Sequence, residues 1–70
     1  MARVLVTGGA GSMGRLVCSQ LAANKHSVRA LDLPSANFMG MPDGVTALCG
    51  DLTSIEDLKN ALKGVDAVVH

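Results

Sequence analysis

The 70-residue sequence has no tryptophan, no tyrosine and a single phenylalanine, Phe38, so any core must be built from small aliphatic side chains without large aromatic burial. It has two cysteines, Cys18 and Cys49, in apolar stretches and at no CxxC or metal-ligand spacing, which excludes a disulfide framework and a cysteine-based metal centre. Both are expected to be buried, reduced core thiols. Net charge is also lacking. Six basic and six acidic side chains cancel, and no basic stripe offers charge-driven binding to nucleic acid or to an acidic membrane. No apolar run is long enough for a signal segment or a membrane span, and the expectation is a cytoplasmic chain. Neither an internal repeat nor a linker interrupts it.

What is present is aliphatic: Val, Leu and Ala fill 26 of the 70 positions. A domain near this size hides only ~60% of the surface its unfolded chain exposes, so help from a larger sheet or a second copy, a homodimer, is expected. Two hydrophobic periodicities alternate along the chain. Arg3 to Thr7 is a short β-rich run ending at Gly8-Gly9-Ala10-Gly11. Met13, Leu16, Val17 and Leu21 then recur at helical spacing as far as about Asn24. Ser27 to Asp32 is a second strand, closed by Leu33-Pro34. The stretch to Gly44 holds both prolines and is near the minimum length for a crossover, so at most a short helix is expected, around Ser35 to Met39.

Val45 to Cys49 is a third strand. Thr53-Ser54-Ile55-Glu56 has the form of a capping box, with the Thr53 hydroxyl accepting from the Glu56 amide and the Glu56 side chain returning to the Thr53 amide. Ile55, Leu58 and Leu62 form one apolar face of the helix that follows; Lys59 and Lys63 suit its C-terminal end, and Gly64 the C′ position. Val65 to His70 is a fourth strand. The order βαβ(α)βαβ implies a parallel sheet with helices on its faces, an α/β fold that is half of a doubly wound sheet. Its strands read as continuously apolar, as expected of strands buried on both sides.

Chemistry begins at Thr7-Gly8-Gly9-Ala10-Gly11-Ser12-Met13-Gly14. A strand turning through glycines into a helix presents unpaired amides and a positive dipole end at one point, where an anionic phosphate binds best. Gly8 would make the tight turn, Gly11 would let a pyrophosphate approach the backbone, and Gly14 would let the helix pack closely. The loop alone can also be read as a structural glycine turn before a helix. Its context favours a dinucleotide: it joins the first strand to the first helix, and Asp32 ends the second strand 18 positions after Gly14. A nucleotide-triphosphate loop fails, because Arg15-Leu16 stands where Lys and Ser or Thr would hold phosphate and magnesium.

With Gly50-Asp51-Leu52 and Asp66-Ala67-Val68-Val69-His70 added in order, the chain resembles the N-terminal part of an extended short-chain dehydrogenase/reductase, the NAD-dependent epimerase/dehydratase family. The other large branch would need a glycine at Ser12. The resemblance implies a Rossmann-like fold, with residues 1–70 as the N-terminal portion of an NAD(P)-binding domain whose remainder, like the substrate domain, lies elsewhere. It implies that amides around Ser12 and Met13 hold a pyrophosphate, that Asp32 takes the adenosine ribose hydroxyls, and that Asp51 and Leu52 contact adenine. The family carries an aromatic residue and Ile where this chain has Ser12-Met13, a departure that bears on how the helix seats.

The resemblance also implies an NAD-linked epimerase, dehydratase or reductase acting on a nucleotide sugar or related carbonyl or alcohol, with NAD expected over NADP. Chemistry in that family rests on a Tyr-x-x-x-Lys pair, and this chain contains no Tyr, so it carries no catalytic residue and no turnover of its own is expected. A non-catalytic dinucleotide sensor on the same fold and an inactive truncated chain are the alternatives. Asp32 can also be read as a turn-opening residue, and Asp51 as a helix-start residue. His70 is expected to be structural with no metal role, His26 to be a solvated loop residue, and Met39 and Met41 to fill gaps.

Overall fold

A computed structural model describes residues 2–70, and Met1 lies outside that description. Six elements run in the order β1 (Arg3–Thr7), α1 (Ser12–Ala23), β2 (Ser27–Asp32), β3 (Val45–Cys49), α2 (Ile55–Leu62) and β4 (Ala67–Val69). The strands form one sheet in the order β3-β2-β1-β4, with every pairing parallel. This is the expected Rossmann-like α/β half-sheet: the chain winds outward from β1 through β2 to β3, then crosses back to place β4 on the other side of β1. Alternation along β1 divides the core. Val4 and Val6 pack with Val28, Ala30 and Cys18 under α1, and Leu5 packs with Leu31 and Ala61 under α2.

Only β1 and β2 have the two-sided burial expected of all four strands. Every residue of β4 is exposed, and β3 has no fully buried residue, because each is an edge strand here. Helix α1 is also rotated from the face expected. Met13 and Leu16 are exposed, and the helix meets the sheet through Val17, Cys18, Leu21 and Ala22. Gly14 decides this rotation, as it lies against the glycine loop with no room for a Cβ. In α2 the buried residue is Ala61, while Ile55 and Leu62 are exposed.

The Leu33-to-Gly44 crossover contains turns and no helix, including at Ser35 to Met39. Its backbone is ordered by a turn from Leu33 to Ala36 and by the Asn37 side chain, which accepts from the Met39 amide at 2.9 Å. Met39 points to solvent instead of filling a gap, and Met41 does pack on the core. Helix α1 ends without glycine: Lys25 takes a φ of 68°, the Lys25 amide donates to the Ala22 carbonyl, and the His26 amide donates to the Leu21 carbonyl. His26 is half-buried, not solvated, since its Nδ1 accepts the Ala2 amide at 3.0 Å where the chain enters β1.

The cap of α2 sits one residue later than expected. Ser54, not Thr53, is the N-cap; its hydroxyl accepts from the Asp57 amide at 3.3 Å, and Glu56 takes no part in the box. Thr53 is drawn away because both its amide and its hydroxyl donate to Asp51, at 2.9 and 2.8 Å. Cys49 is also a correction: it is exposed on edge strand β3, and only Cys18 is buried. Burial pushes the Cys18 thiol up, against a smaller opposing effect of the Arg15 charge. A thiol reagent at neutral pH is therefore expected to label Cys49 rapidly and Cys18 only on unfolding. Equal labelling of both in the folded protein, read by mass spectrometry, would contradict this packing.

Candidate functional site

The site lies where β1, β2 and β3 end. Gly8, at a φ of 65°, turns the chain out of β1, and the Gly11 amide donates back to the Gly8 carbonyl at 3.1 Å. Helix α1 then begins with Gly11 as its N-cap, with no side-chain oxygen capping the first turn and no acidic residue within it. The amides of Ser12, Met13 and Gly14 thus sit at an uncompensated positive helix end, the arrangement that favours an anion.

Asp32 is built into this loop. One carboxylate oxygen accepts from the Ala10 amide at 3.1 Å and the other from the Leu33 amide at 2.8 Å. Each oxygen has a second lone pair available to a ligand hydroxyl. The Asp32 carbonyl accepts from the Gly50 amide at 2.9 Å, and the Leu31 carbonyl accepts from the Gly9 amide at 3.1 Å. The ends of the three strands are therefore laced together by backbone as well as by the carboxylate.

Asp51 follows Gly50. Its amide donates to the Asp57 carboxylate at 3.0 Å, and its own carboxylate accepts both donors of Thr53. Those Thr53 hydrogen bonds, the backbone one first, hold the Asp51 carboxyl below the usual carboxylate range, so it remains an ionised acceptor at neutral pH. Between Asp32 and Asp51 opens a cavity of about 250 Å³, lined by Gly8, Leu31, Asp32, Leu33, Gly50, Asp51 and Leu52.

Four of the residues singled out from sequence, Gly8, Asp32, Asp51 and Leu52, meet in that cavity. The other four, Gly11, Ser12, Met13 and Gly14, lie beside it at the start of α1. Leu31 and Leu33, which supply apolar walls, were not foreseen. Nor was Gly9, which is buried with its Cα facing Ala30; a Cβ there would come within 2.6 Å of the Ala30 Cβ. The second glycine of a Gly8-Gly9 pair was the available signal. His70 is 2.7 Å from Thr7 Oγ1 through Nδ1, across the β1–β4 pair.

Residues 8–70 match the family described as NAD(P)H-binding. The chain belongs to that family. It is 36% identical over its whole length to a 3-beta-hydroxysteroid dehydrogenase of Mycolicibacterium neoaurum, and covers 19% of that protein. An epimerase from Methanothermobacter thermautotrophicus superposes with a TM-score of 0.84 at 35% identity, over 96% of this chain and 21% of that one. The UDP-glucose 4-epimerase of Thermus thermophilus in complex with NAD superposes with a TM-score of 0.75 at 37% identity, over 87% of this chain and 20% of that one. The likeness to extended short-chain dehydrogenases/reductases thus holds in both sequence and fold. The chain spans about a fifth of the length of the curated relatives it matches. Among the described residues no helix is long and apolar enough to cross a membrane.

Proposed function

We propose that residues 1–70 are the N-terminal portion of the dinucleotide-binding domain of a cytoplasmic, NAD-dependent enzyme, and that they bind the adenosine diphosphate half of NAD. In this reading the pyrophosphate lies on the α1 amides of Ser12, Met13 and Gly14, close against Gly11. Asp32 accepts the two ribose hydroxyls with the lone pairs left over from Ala10 and Leu33. Adenine enters the cavity, with Asp51 accepting from its amino group and the Leu52 amide donating to a ring nitrogen. NAD supplies a hydride acceptor when bound; these residues orient it, and the acid-base group comes from elsewhere in the longer protein.

The observation that carries the choice of NAD is the lining of the cavity: among the described residues Asp32 and Asp51 are its charged groups, and no cation lines it. A 2′-phosphate beside Asp32 would meet a like charge. At about 4 Å and an effective dielectric near 20, that repulsion is about 4 kcal/mol, enough to weaken NADP by roughly a hundredfold even after partial screening. Titrating the full-length protein with both cofactors tests this, and NADP binding as tightly as NAD would refute it. Asp32→Ser should narrow the difference mainly by weakening NAD. For the substrate, the names of the relatives, a hydroxysteroid dehydrogenase and a UDP-glucose epimerase, support a nucleotide sugar or another alcohol or carbonyl compound.

A further inference from the structure

Arg15 has no part in the reading above, yet each of its three guanidinium nitrogens donates to a backbone carbonyl. Its Nε donates to the Ala10 carbonyl at 2.9 Å, its Nη1 to the Met39 carbonyl at 2.8 Å, and its Nη2 to the Asn37 carbonyl. One side chain on the first turns of α1 thus ties the glycine loop to the crossover that follows Asp32. Ala10 is held from both sides, its amide by the Asp32 carboxylate and its carbonyl by Arg15. A flexible loop loses conformational entropy when it closes on a ligand, and a clamp present beforehand removes part of that cost. The half-buried guanidinium provides a fork suited to several carbonyls at once, which an ammonium does not.

We propose that Arg15 is a positioning residue for dinucleotide binding, presetting the phosphate loop by clamping Ala10 against the crossover at Asn37 and Met39. The inference rests on the reading that the loop takes the pyrophosphate. Arg15 touches no ligand in it.

The test compares three ligands in the full-length protein: NAD and ADP-ribose, which carry the pyrophosphate, and adenosine, which does not. Arg15→Met should weaken NAD and ADP-ribose by about tenfold, the scale of losing hydrogen bonds from a charged group, and leave adenosine within about twofold. Arg15→Lys should restore only part of the loss. Hydrogen exchange supplies a second measurement: the Ala36 and Met39 amides should be protected in the free wild type and lose that protection in free Arg15→Met. Equal weakening of all three ligands with intact crossover protection, or no weakening of any, would overturn the proposal. If wild-type protein binds adenosine as tightly as ADP-ribose, the pyrophosphate reading itself fails, and the clamp's role falls with it.

Discussion

Gly14→Ala is expected to cost the protein both its stability and its cofactor binding, whereas Gly11→Ala is expected to remove binding alone. A Cβ at Gly14 would stand 2.2 Å from the Gly8 carbonyl oxygen, 2.7 Å from the Gly9 Cα and 2.9 Å from the Gly8 carbonyl carbon. These are backbone atoms, so no side-chain rotation relieves the clash, and either α1 or the loop must move. Overpacking costs about 1 to 3 kcal/mol where side chains can give way, and a clash against backbone belongs at or above the top of that range. The better helix propensity of alanine, about 1 kcal/mol, does not offset it. At Gly11 the nearest atom to a Cβ is the Gly8 carbonyl oxygen at 3.4 Å, and a φ of −73° is open to any residue. An alanine there fits the protein and obstructs only an anion seated on the loop. Thermal denaturation and NAD titration of both full-length variants distinguish the two roles. A Gly14→Ala protein with wild-type Tm and affinity, or a Gly11→Ala protein that binds NAD normally, would contradict this account.

The 70-residue chain by itself is expected to be marginally folded at best, with strand amides exchanging in minutes. Its fully buried apolar set is small and aliphatic, led by Leu5, Val6, Val28 and Cys18. Meanwhile Ile55 is 71% exposed, Val68 49% and Val69 37%, leaving the outer surface of α2 and the β4 edge uncovered. Each buried aliphatic side chain contributes about 1.5 to 3 kcal/mol, so these exposed ones forgo several, against the ~3 to 5 kcal/mol that a core of this size supplies. An open, apolar edge strand also pairs readily with another chain. Hydrogen exchange on the 70-mer is the measurement: hours of protection in all four strands of a demonstrated monomer would refute the expectation. Protection that rises on extending the chain past His70 would show the rest of a sheet covering β4, and protection that rises with concentration would show a homodimer doing so.

Sequence alone determined the order of the strands and the two helices and the place of the glycine turn between β1 and α1, because both depend on short-range chemistry. The bounds of β1, β2 and β3 follow from apolar runs closed by Gly8, Asp32 and Gly50. The glycine spacing and an acidic residue at the end of β2 pointed to Gly8 and Asp32, the family resemblance added Asp51 and Leu52, and these four do line one cavity. What tertiary structure decided was most of the choices between neighbours with similar local preferences. Helix periodicity put Met13, Leu16, Val17 and Leu21 on one apolar face of α1, but with Gly14 held against the backbone of Gly8 and Gly9, Met13 and Leu16 are exposed and Cys18 and Ala22 join Val17 and Leu21 against the sheet. One choice stayed local: Thr53 and Ser54 are both good N-caps, and the Asp51 carboxylate, two residues before Thr53, takes both Thr53 donors and leaves the cap to Ser54. Apolar strands look alike whether central or at an edge, so the exposure of Cys49, Val68 and Val69 followed only from the order β3-β2-β1-β4. Arg15 was legible as the residue that excludes a triphosphate loop. Its three carbonyl partners, two of them more than twenty residues away, became its own only once the chain had folded.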